Sequence, residues 1–172
     1  MNKKALYNIS YGLYIISSRN GDKINGQTAN TVIQVCSEPP MISVAINKNN
    51  YTHECINASK MFSASILEKE TPLSFIGGFG FKSGKDADKF KGINYRMSDN
   101  NIPIITDYTV AYLEAKLVDK IDVGTHTIFI GELVDADVIK EGEPITYAYY
   151  QQVKRGTTPK SAPSYIETKK GE

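Results

Sequence analysis

The sequence predicts a mainly β fold, in which about six antiparallel strands form a barrel that short helices partly close. Three observations support this prediction. Eleven tyrosines and many Val, Ile and Thr residues favour strands. Asn20-Gly21 is a dipeptide that tight β-hairpins prefer. Two long segments, residues 111–117 and 128–138, alternate side chains with the period of a strand.

Turn signals divide the rest of the chain into shorter elements. The predicted strands cover residues 12–18, 24–35, 41–46 and 61–67, followed by the two long segments. Thr52 is positioned to cap a short helix over residues 52–59. Further on, we expect a short helix over residues 72–75, a glycine-rich loop and a helical turn over residues 86–90.

Length and composition limit the class of protein. The 172 residues suit one domain, which we expect over residues 1–150, followed by an extended arm over residues 151–172. A net charge of +1 argues against a nucleic-acid binder. The apolar stretches are too short to span a membrane, and two cysteines cannot build a disulfide framework. We therefore expect a cytoplasmic protein with neither nucleic-acid nor membrane partners.

A glycine-rich segment, residues 77–85, invites comparison with a phosphate-binding loop but fails the strict pattern. Phe79 stands where that motif needs glycine, and Asp86 stands where it needs Ser or Thr. A flexible surface loop is the alternative interpretation. Even so, Ser83, Lys85 and Lys89 supply hydroxyl and ammonium groups of the kind that hold a phosphate.

Two further clusters suggest a ligand. The small and hydroxylated residues 26–31 would let a flat ligand approach a strand closely, although a polar edge strand has the same composition. Residues 47–53 combine amides, a lysine and a helix start, where free N–H groups and the helix dipole favour an anion. An ordinary capped helix is the alternative for that second cluster.

Cys36 and His126 are candidates for chemistry, each with a simpler alternative. Cys36 lies at a strand end, where most lone cysteines are inert small apolar residues. His126 has the same parity as Ile128 and Ile130 and is expected to point inward, as a hydrogen-bonded barrel residue or as a ligand contact. His53 and Cys55 are too sparse for a metal site, so we expect no metal.

Taken in order, these clusters resemble the flavin reductase-like family, whose fold is an FMN-binding split barrel. The resemblance covers roughly residues 5–150 and rests on residues 25–31, 39–47, 51–53, 89–90 and 125–132. Residues 145–165 are similar to the end of the flavin domain in high-molecular-weight rubredoxins and to flavoredoxin. In those rubredoxins a domain with two Cys-x-x-Cys motifs follows, and this chain has no such motif.

The resemblance implies roles for particular residues. The strand formed by Gln27, Thr28, Ala29, Asn30 and Thr31 would lie along the isoalloxazine edge. The FMN phosphate would be held by Asn47, Lys48 and Thr52, with Ser83 and Lys89 closing over it. Cys36 and His126 would lie near the flavin face on which a nicotinamide stacks. The family's usual homodimer would let the tyrosine-rich segment, residues 147–165, reach across to the partner.

The resulting hypothesis is an NAD(P)H-dependent flavin reductase that binds FMN and passes electrons to an acceptor such as a separate rubredoxin. The alternative is an FMN-bound electron carrier that never oxidises NAD(P)H. A flavin-storing split barrel without turnover is a third possibility. The sequence does not distinguish NADH from NADPH, or a tightly bound flavin from a flavin substrate.

Overall fold

The computed structural model describes residues 1–166 and is mainly β, as the sequence predicts. After a short 3₁₀ helix (Lys3–Asn8), its strands are β1 (Tyr14–Asn20), β2 (Lys23–Ala29), β3 (Val32–Ser37), β4 (Pro40–Asn47), β5 (Met61–Leu67), β6 (Tyr95–Met97), β7 (Pro103–Ile105), β8 (Thr109–Val123) and β9 (His126–Val138). Seven of them form one antiparallel sheet in the order β2-β1-β5-β8-β9-β4-β3, whereas β6 and β7 pair with each other.

The large sheet has seven strands rather than the predicted six, because the second predicted strand is two strands. The chain leaves β2 at one edge of the sheet and enters β3 at the opposite edge after only Asn30 and Thr31. The sheet must therefore curl until its two edges meet at this junction. There the Thr31 hydroxyl bonds both the N–H and the carbonyl of Ala45, each at 3.3 Å. These side-chain bonds continue the pairing of β3 with β4 by one position beyond Val32 and Val44.

The structure corrects the prediction about which residues of β9 face inward. Thr127 and Phe129 are almost fully buried beneath the curled sheet, whereas Ile128 and Ile130 are only half-buried. Since side chains alternate along a strand, Ile128 and Ile130 lie on the outer face. His126 shares their parity, so it also lies on the outer face and not in the barrel interior.

Three α-helices accompany the sheet: α1 (Tyr51–Ser59), α2 (Leu73–Gly80) and α3 (Tyr147–Gln152). Helix α1 agrees with the prediction to within one residue. Helix α2 is longer than predicted, because Gly77, Gly78 and Gly80 are helical and not part of a loop. Each glycine costs a helix about 1 kcal/mol, and burial of Phe75, Ile76 and Phe79 offsets that cost. The predicted helical turn at residues 86–90 is absent; these residues form non-helical turns.

The core consists of two apolar clusters. One fills the inside of the curled sheet around Phe62, Val44 and Phe129. The other joins α2 and α3 to β1 through Phe79, Ile15 and Tyr150. The second cluster matters for function, because it fixes α2 and α3 beside the exposed end of β2.

Beyond α3, the described residues of the predicted arm fold back onto the sheet. The Tyr150 hydroxyl donates to the Thr157 carbonyl at 2.8 Å, and the Asn30 amide donates to the Ser164 hydroxyl at 2.7 Å. Residues 167–172 of the predicted arm lie outside the described residues, and the domain boundary at residue 150 stays a prediction. Among residues 1–166, no helix is long and apolar enough to cross a membrane.

Candidate functional site

A pocket of about 210 Å³ lies between β2, the start of α1, the end of α2 and the segment after α3. Eight residues singled out in the sequence line it: Gln27, Thr28, Ala29, Asn30, Asn47, Thr52, Ser83 and Lys89. They come from three distant parts of the chain, so the fold brings together the three clusters recognised in the sequence. The pocket follows β2 and has two chemically different ends.

Lys89 supplies the positive charge at one end of the pocket. Its ammonium donates to the carbonyls of Gly26 and Phe79, both at 2.9 Å, and no carboxylate neutralises it among the described residues. Burial removes water from this charge and lowers the pKa of Lys89 to about 8. An ammonium has three N–H groups, so two carbonyls leave one for a ligand. A half-buried, uncompensated cation of this kind is stabilised by an anion.

The start of α1 belongs to the same end of the pocket. Its N-cap residue, Asn50, makes no side-chain capping bond; its amide donates instead to Gln27 Oε1 at 3.1 Å. The first N–H groups of the helix therefore lack a side-chain acceptor, and the helix dipole makes this end attractive to an anion. Asn25 Nδ2 donates to Thr52 Oγ1 at 2.7 Å and so fixes the helix start against β2.

Gly84 shows how tightly the glycine-rich segment packs here. A Cβ atom at Gly84 would overlap the side-chain oxygen of Asn25, so only glycine fits this position. The turn that carries Ser83 is thereby pressed against β2, beside the residue that holds Thr52. The Ser83 hydroxyl accepts from the Lys85 N–H at 3.1 Å, which orients it at the pocket rim. Three segments thus converge on Asn25 and Gly26.

The opposite end of the pocket is closed by the segment after α3. Residues 157–159 and 161–163 line the pocket there. The Ser161 carbonyl accepts from Asn47 Nδ2 at 3.2 Å and lies 3.1 Å from His126 Nε2. Asn47 and His126 are directly paired across β4 and β9, which brings both donors to one acceptor.

Four predicted site residues do not line the pocket. The Thr31 hydroxyl is used by the backbone of Ala45. Cys36 lies on the edge strand β3, where its thiol contacts the Glu38 carbonyl at 3.4 Å. His126 contacts the covering segment from outside the pocket. Their predicted proximity to a ligand rested on the family resemblance. Cys36 lies away from the pocket because the β2–β3 junction carries β3 to the far edge of the sheet.

Lys48 is the fourth of these residues. Its ammonium forms an ion pair with Asp122 at 3.2 Å, on the outside of the β8–β9 turn. Asp122 also accepts from the Thr127 hydroxyl at 2.6 Å, and these two contacts lower the pKa of its carboxyl group. Lys48 therefore has a carboxylate partner, in contrast to Lys89. The structure provides one lysine, not two, from the predicted phosphate set.

Sequence reasoning missed the residues that close the pocket. Tyr147 and Tyr150 stack with ring centroids 5.7 Å apart and line the pocket together with residues 157–163. The tyrosine-rich tail was the available signal, but it was interpreted as reaching a partner subunit. In the structure, its described residues lie against the chain's own pocket. Phe79 and Phe81, which also line the pocket, were missed because the glycines around them predicted a loop and not a helix.

Among residues 1–166, no group of three His, Cys, Asp or Glu side chains is arranged to hold a metal. His53, which we considered for such a site, is bonded to Thr127 Oγ1 at 2.9 Å and contacts Asn57. Burial lowers the pKa of His53. Its surroundings are those of a neutral structural histidine.

Comparison with known proteins agrees with this geometry. Residues 6–158 match the sequence profile of the flavin reductase like domain. The chain belongs to this family. It is 58% identical over 165 residues to the high molecular weight rubredoxin of Moorella thermoacetica, covering 96% of this chain and 72% of that protein. It is 47% identical over 169 residues to the ferric-chelate reductase (NAD(P)H) of Archaeoglobus fulgidus, covering 98% of this chain and all of that one.

Solved structures of the family share the fold. The flavin reductase HpaC, determined in complex with NADP⁺, is 27% identical and superimposes with a TM-score of 0.73, covering 84% of this chain and 90% of that one. An FMN-binding protein from Thermus thermophilus superimposes with a TM-score of 0.72 over 78% of this chain and 75% of that one, at 21% identity. The predicted split-barrel fold and the predicted membership of the flavin reductases are confirmed, and the chain is an oxidoreductase of that type.

Proposed function

We propose that this protein binds FMN in the pocket and reduces it with NADH or NADPH. The observation that carries the proposal is Lys89, a half-buried ammonium that lines the pocket and has no carboxylate partner among the described residues. Family membership and the relatives named as NAD(P)H-dependent or solved with NADP⁺ support the choice of flavin and nicotinamide. The residues at the pocket's two ends fit a phosphate at one end and a flat ring at the other.

The donors at the Lys89 end fit the phosphate of FMN. Lys89 would contribute a charged hydrogen bond, and the start of α1 would contribute N–H groups near Thr52. Ser83 stands at the rim as a hydroxyl partner. From Gly26 to Asn30, β2 and its continuation extend about 13 Å, at roughly 3.3 Å per residue. The ring would lie toward Asn30, along the backbone and side chains of Gln27, Thr28 and Ala29.

When bound, FMN supplies the redox chemistry by accepting a hydride from the nicotinamide. The chain's own contribution is to bind, orient and exclude water. The Thr28 hydroxyl donates to the Ile76 carbonyl at 2.8 Å, which fixes β2 against α2. The residues after α3 cover the ring end. Hydride transfer needs no acid–base residue on the protein, which agrees with a pocket whose only described ionisable groups are Tyr and Lys side chains.

The visible spectrum of the protein after loading with FMN and desalting tests the proposal. Retained flavin that NADH or NADPH bleaches under anaerobic conditions would support it. A protein that retains no flavin and accelerates no NAD(P)H-dependent flavin reduction would contradict it. Comparison of the two nicotinamides in the same assay would identify the preferred donor.

A second function, an FMN-bound electron carrier, is favoured by one observation: the relative at 58% identity is named a rubredoxin. In this alternative the flavin exchanges electrons with a rubredoxin on a separate protein and does not oxidise NAD(P)H. Reduced rubredoxin would then bleach the bound flavin, whereas NADH would not. Flavin that is retained but reduced by neither partner would favour storage without turnover. Within the main proposal, the same rubredoxin is a suitable electron acceptor.

We further propose that two copies associate through the outer face of β3, β4, β8 and β9. This face carries exposed Ile33, Ile121 and Val123 (59%, 49% and 44% exposed) beside half-buried Ile128 and Ile130. Cross-strand pairing of Ile128 with Ile121, and of His126 with Val123, places these side chains on one surface. An exposed apolar surface of this kind suits a protein interface. Because the surface adjoins the pocket at Asn47, a second copy here would lie beside the flavin.

We also assign the protein to the cytoplasm as part of this proposal. Cys36 and Cys55 are both free thiols. Thiols remain reduced in that compartment, where disulfides are rare. Fractionation of the source cells would test the assignment.

A further inference from the structure

The segment from Thr157 to Pro163, called here the cover, closes one end of the pocket but is weakly anchored. Every residue of the cover is exposed or only half-buried. It has two prolines, Pro159 and Pro163, and contributes to no strand or helix. Segments with few buried apolar contacts are the first to open locally. The cover is therefore held mainly by particular polar contacts rather than by the core.

Thr157 and Thr158 contact the side chains of Tyr150, Tyr147 and Gln151 in α3. Further contacts, outside α3, form a latch at two places. At the first, the Ser161 carbonyl receives Asn47 Nδ2 at 3.2 Å and meets His126 Nε2 at 3.1 Å. At the second, just beyond the cover, the Asn30 amide donates to Ser164 Oγ at 2.7 Å. His126 Nδ1 lies 2.9 Å from Thr125 Oγ1, which can donate to it and leave the proton on Nε2. Asn47 and His126 belong to the sheet and Asn30 follows β2 directly, so the latch joins the cover to the rigid part of the molecule.

The backbone before the cover is shaped to turn it back over the pocket. Arg155 has a φ of +60°, in the left-handed region. At Gly156, a Cβ atom would overlap the Tyr150 ring. The Gly156 N–H donates to the Tyr150 carbonyl at 2.9 Å. This fixed turn directs the cover, while the latch determines whether it stays closed.

With the cover closed, the pocket is small. Its volume of about 210 Å³ lies below the roughly 300–1,000 Å³ of pockets that hold drug-sized ligands. The cover lies at the Asn30 end, opposite Lys89, and so over the place assigned to the flavin ring. A nicotinamide that approached the ring from this side would have to occupy the volume of the cover.

We propose that His126 is a positioning residue that latches the cover, and that the cover must open to admit the nicotinamide. The latch does not depend on the proposed function, whereas the admission of the nicotinamide rests on it. The latch gives His126 a role outside the pocket, in place of the catalytic role predicted from the sequence. The closed state excludes water from the ring, and the open state admits the donor.

The test compares His126→Ala with His126→Gln, whose amide can donate to the Ser161 carbonyl as Nε2 does. Glu143→Gln is the control, because Glu143 forms an exposed ion pair with Lys69 at 2.7 Å, away from the cover. The first measurement is the rate of tryptic cleavage after Lys160, an exposed residue inside the cover. When opening is fast relative to cleavage, this rate follows the population of the open state.

Loss of one hydrogen bond should raise the open population, and so the cleavage rate, about three- to tenfold in His126→Ala. His126→Gln should restore most of the original rate, and Glu143→Gln should not change it. Equal cleavage rates in all four proteins would overturn the latch. This measurement uses the protein without flavin and is independent of any activity.

The second measurement is anaerobic reduction of the FMN-loaded proteins at increasing NADH concentration. Because the donor binds the open state, the NADH concentration for half-maximal rate should fall in His126→Ala by the same factor as cleavage rises. The rate at saturating NADH should change less than about twofold. Faster cleavage with an unchanged NADH dependence would overturn the gating role. Retained flavin that NADH reduces in none of the proteins would instead contradict the proposed function, and with it the donor half of this proposal.

Discussion

At the scale of single residues, the two lysines predicted to hold a phosphate have different surroundings in the structure. Both Lys48 and Lys89 were expected to hold a phosphate, yet only Lys89 lines the pocket. Lys89→Ala should weaken FMN binding by about 1.5–3 kcal/mol, the range for a hydrogen bond to a charged group. Quenching of flavin fluorescence measures the dissociation constant. Lys48→Ala and the exposed neighbour variant Lys91→Ala serve as controls, and a similar loss in Lys48→Ala would contradict the assignment.

The lowered pKa of Lys89 also predicts how FMN binding depends on pH. In the free protein Lys89 loses its proton near pH 8, well below the usual lysine value of 10.5. A bound phosphate favours the charged form, so above about pH 8 binding must take up a proton. The dissociation constant of FMN should therefore rise above that pH, by up to about tenfold per unit. Titrations from about pH 7 to about pH 9 measure it, and Lys89→Met should remove this rise.

Residue types alone located most of the pocket but could not identify the roles within it. Thr28, Thr52 and Ser83 were found because hydroxyl groups, amides and a helix start occur in ligand-binding patterns. His126 was expected to face inward but faces outward, because parity along one strand does not show which face a curled sheet buries. Cys36 was placed near the ligand through the resemblance, and it does not line the pocket. Whether a lysine is paired depends on residues distant in the chain, here Asp122 for Lys48.

At the scale of elements, two glycines with opposite surroundings provide a matched test of packing. A Cβ atom at Gly131, on β9, would lie 2.7 Å from Ala115 Cβ and 2.8 Å from the Phe62 ring. Gly131→Ala should therefore destabilise the fold by about 1–3 kcal/mol through overpacking. Gly78 lies in α2 with nothing within 4 Å of a Cβ atom. Gly78→Ala should stabilise the fold by up to about 1 kcal/mol.

Urea unfolding followed by circular dichroism measures both free energies of unfolding. Equal effects of the two substitutions would show that backbone propensity, and not the space around the Cβ atom, controls stability at these glycines.

The difference between local backbone preference and tertiary packing also explains which elements the sequence predicts. Strands β5, β8 and β9 have clear alternation or turn boundaries, so local signals suffice for them. Helix α1 was located correctly, but the predicted cap at Thr52 was wrong: the N-cap is Asn50, without a side-chain bond, and Thr52 lies inside the helix. Helix α2 contains three glycines, and its helical state depends on burial of Phe75 and Phe79 by tertiary packing. The break between β2 and β3 has no local signal, since residues 24–35 remain suitable for a strand throughout. It follows from the global requirement that the sheet curl.

At the scale of the whole molecule, the outer face of the sheet predicts the oligomeric state. Ile121→Asp combined with Val123→Asp places two charges in the proposed interface, where burial of an unpaired charge is strongly unfavourable. Sedimentation should find two chains per particle in the original protein and one in this double variant. Val138→Asp is the control, because Val138 is 69% exposed at the opposite end of β9. A single chain per particle in the original protein would contradict the dimer.

The position of the cover late in the chain has a consequence for synthesis. Every strand of the large sheet ends by Val138, and α3 ends at Gln152, so the floor of the pocket is made before residues 157–163. Domains of a nascent chain generally fold from the N-terminal side as they emerge from the ribosome. The residues of the pocket floor are therefore synthesised before those of the cover. Flavin that bound before the cover was in place would meet a site that is still open on that side.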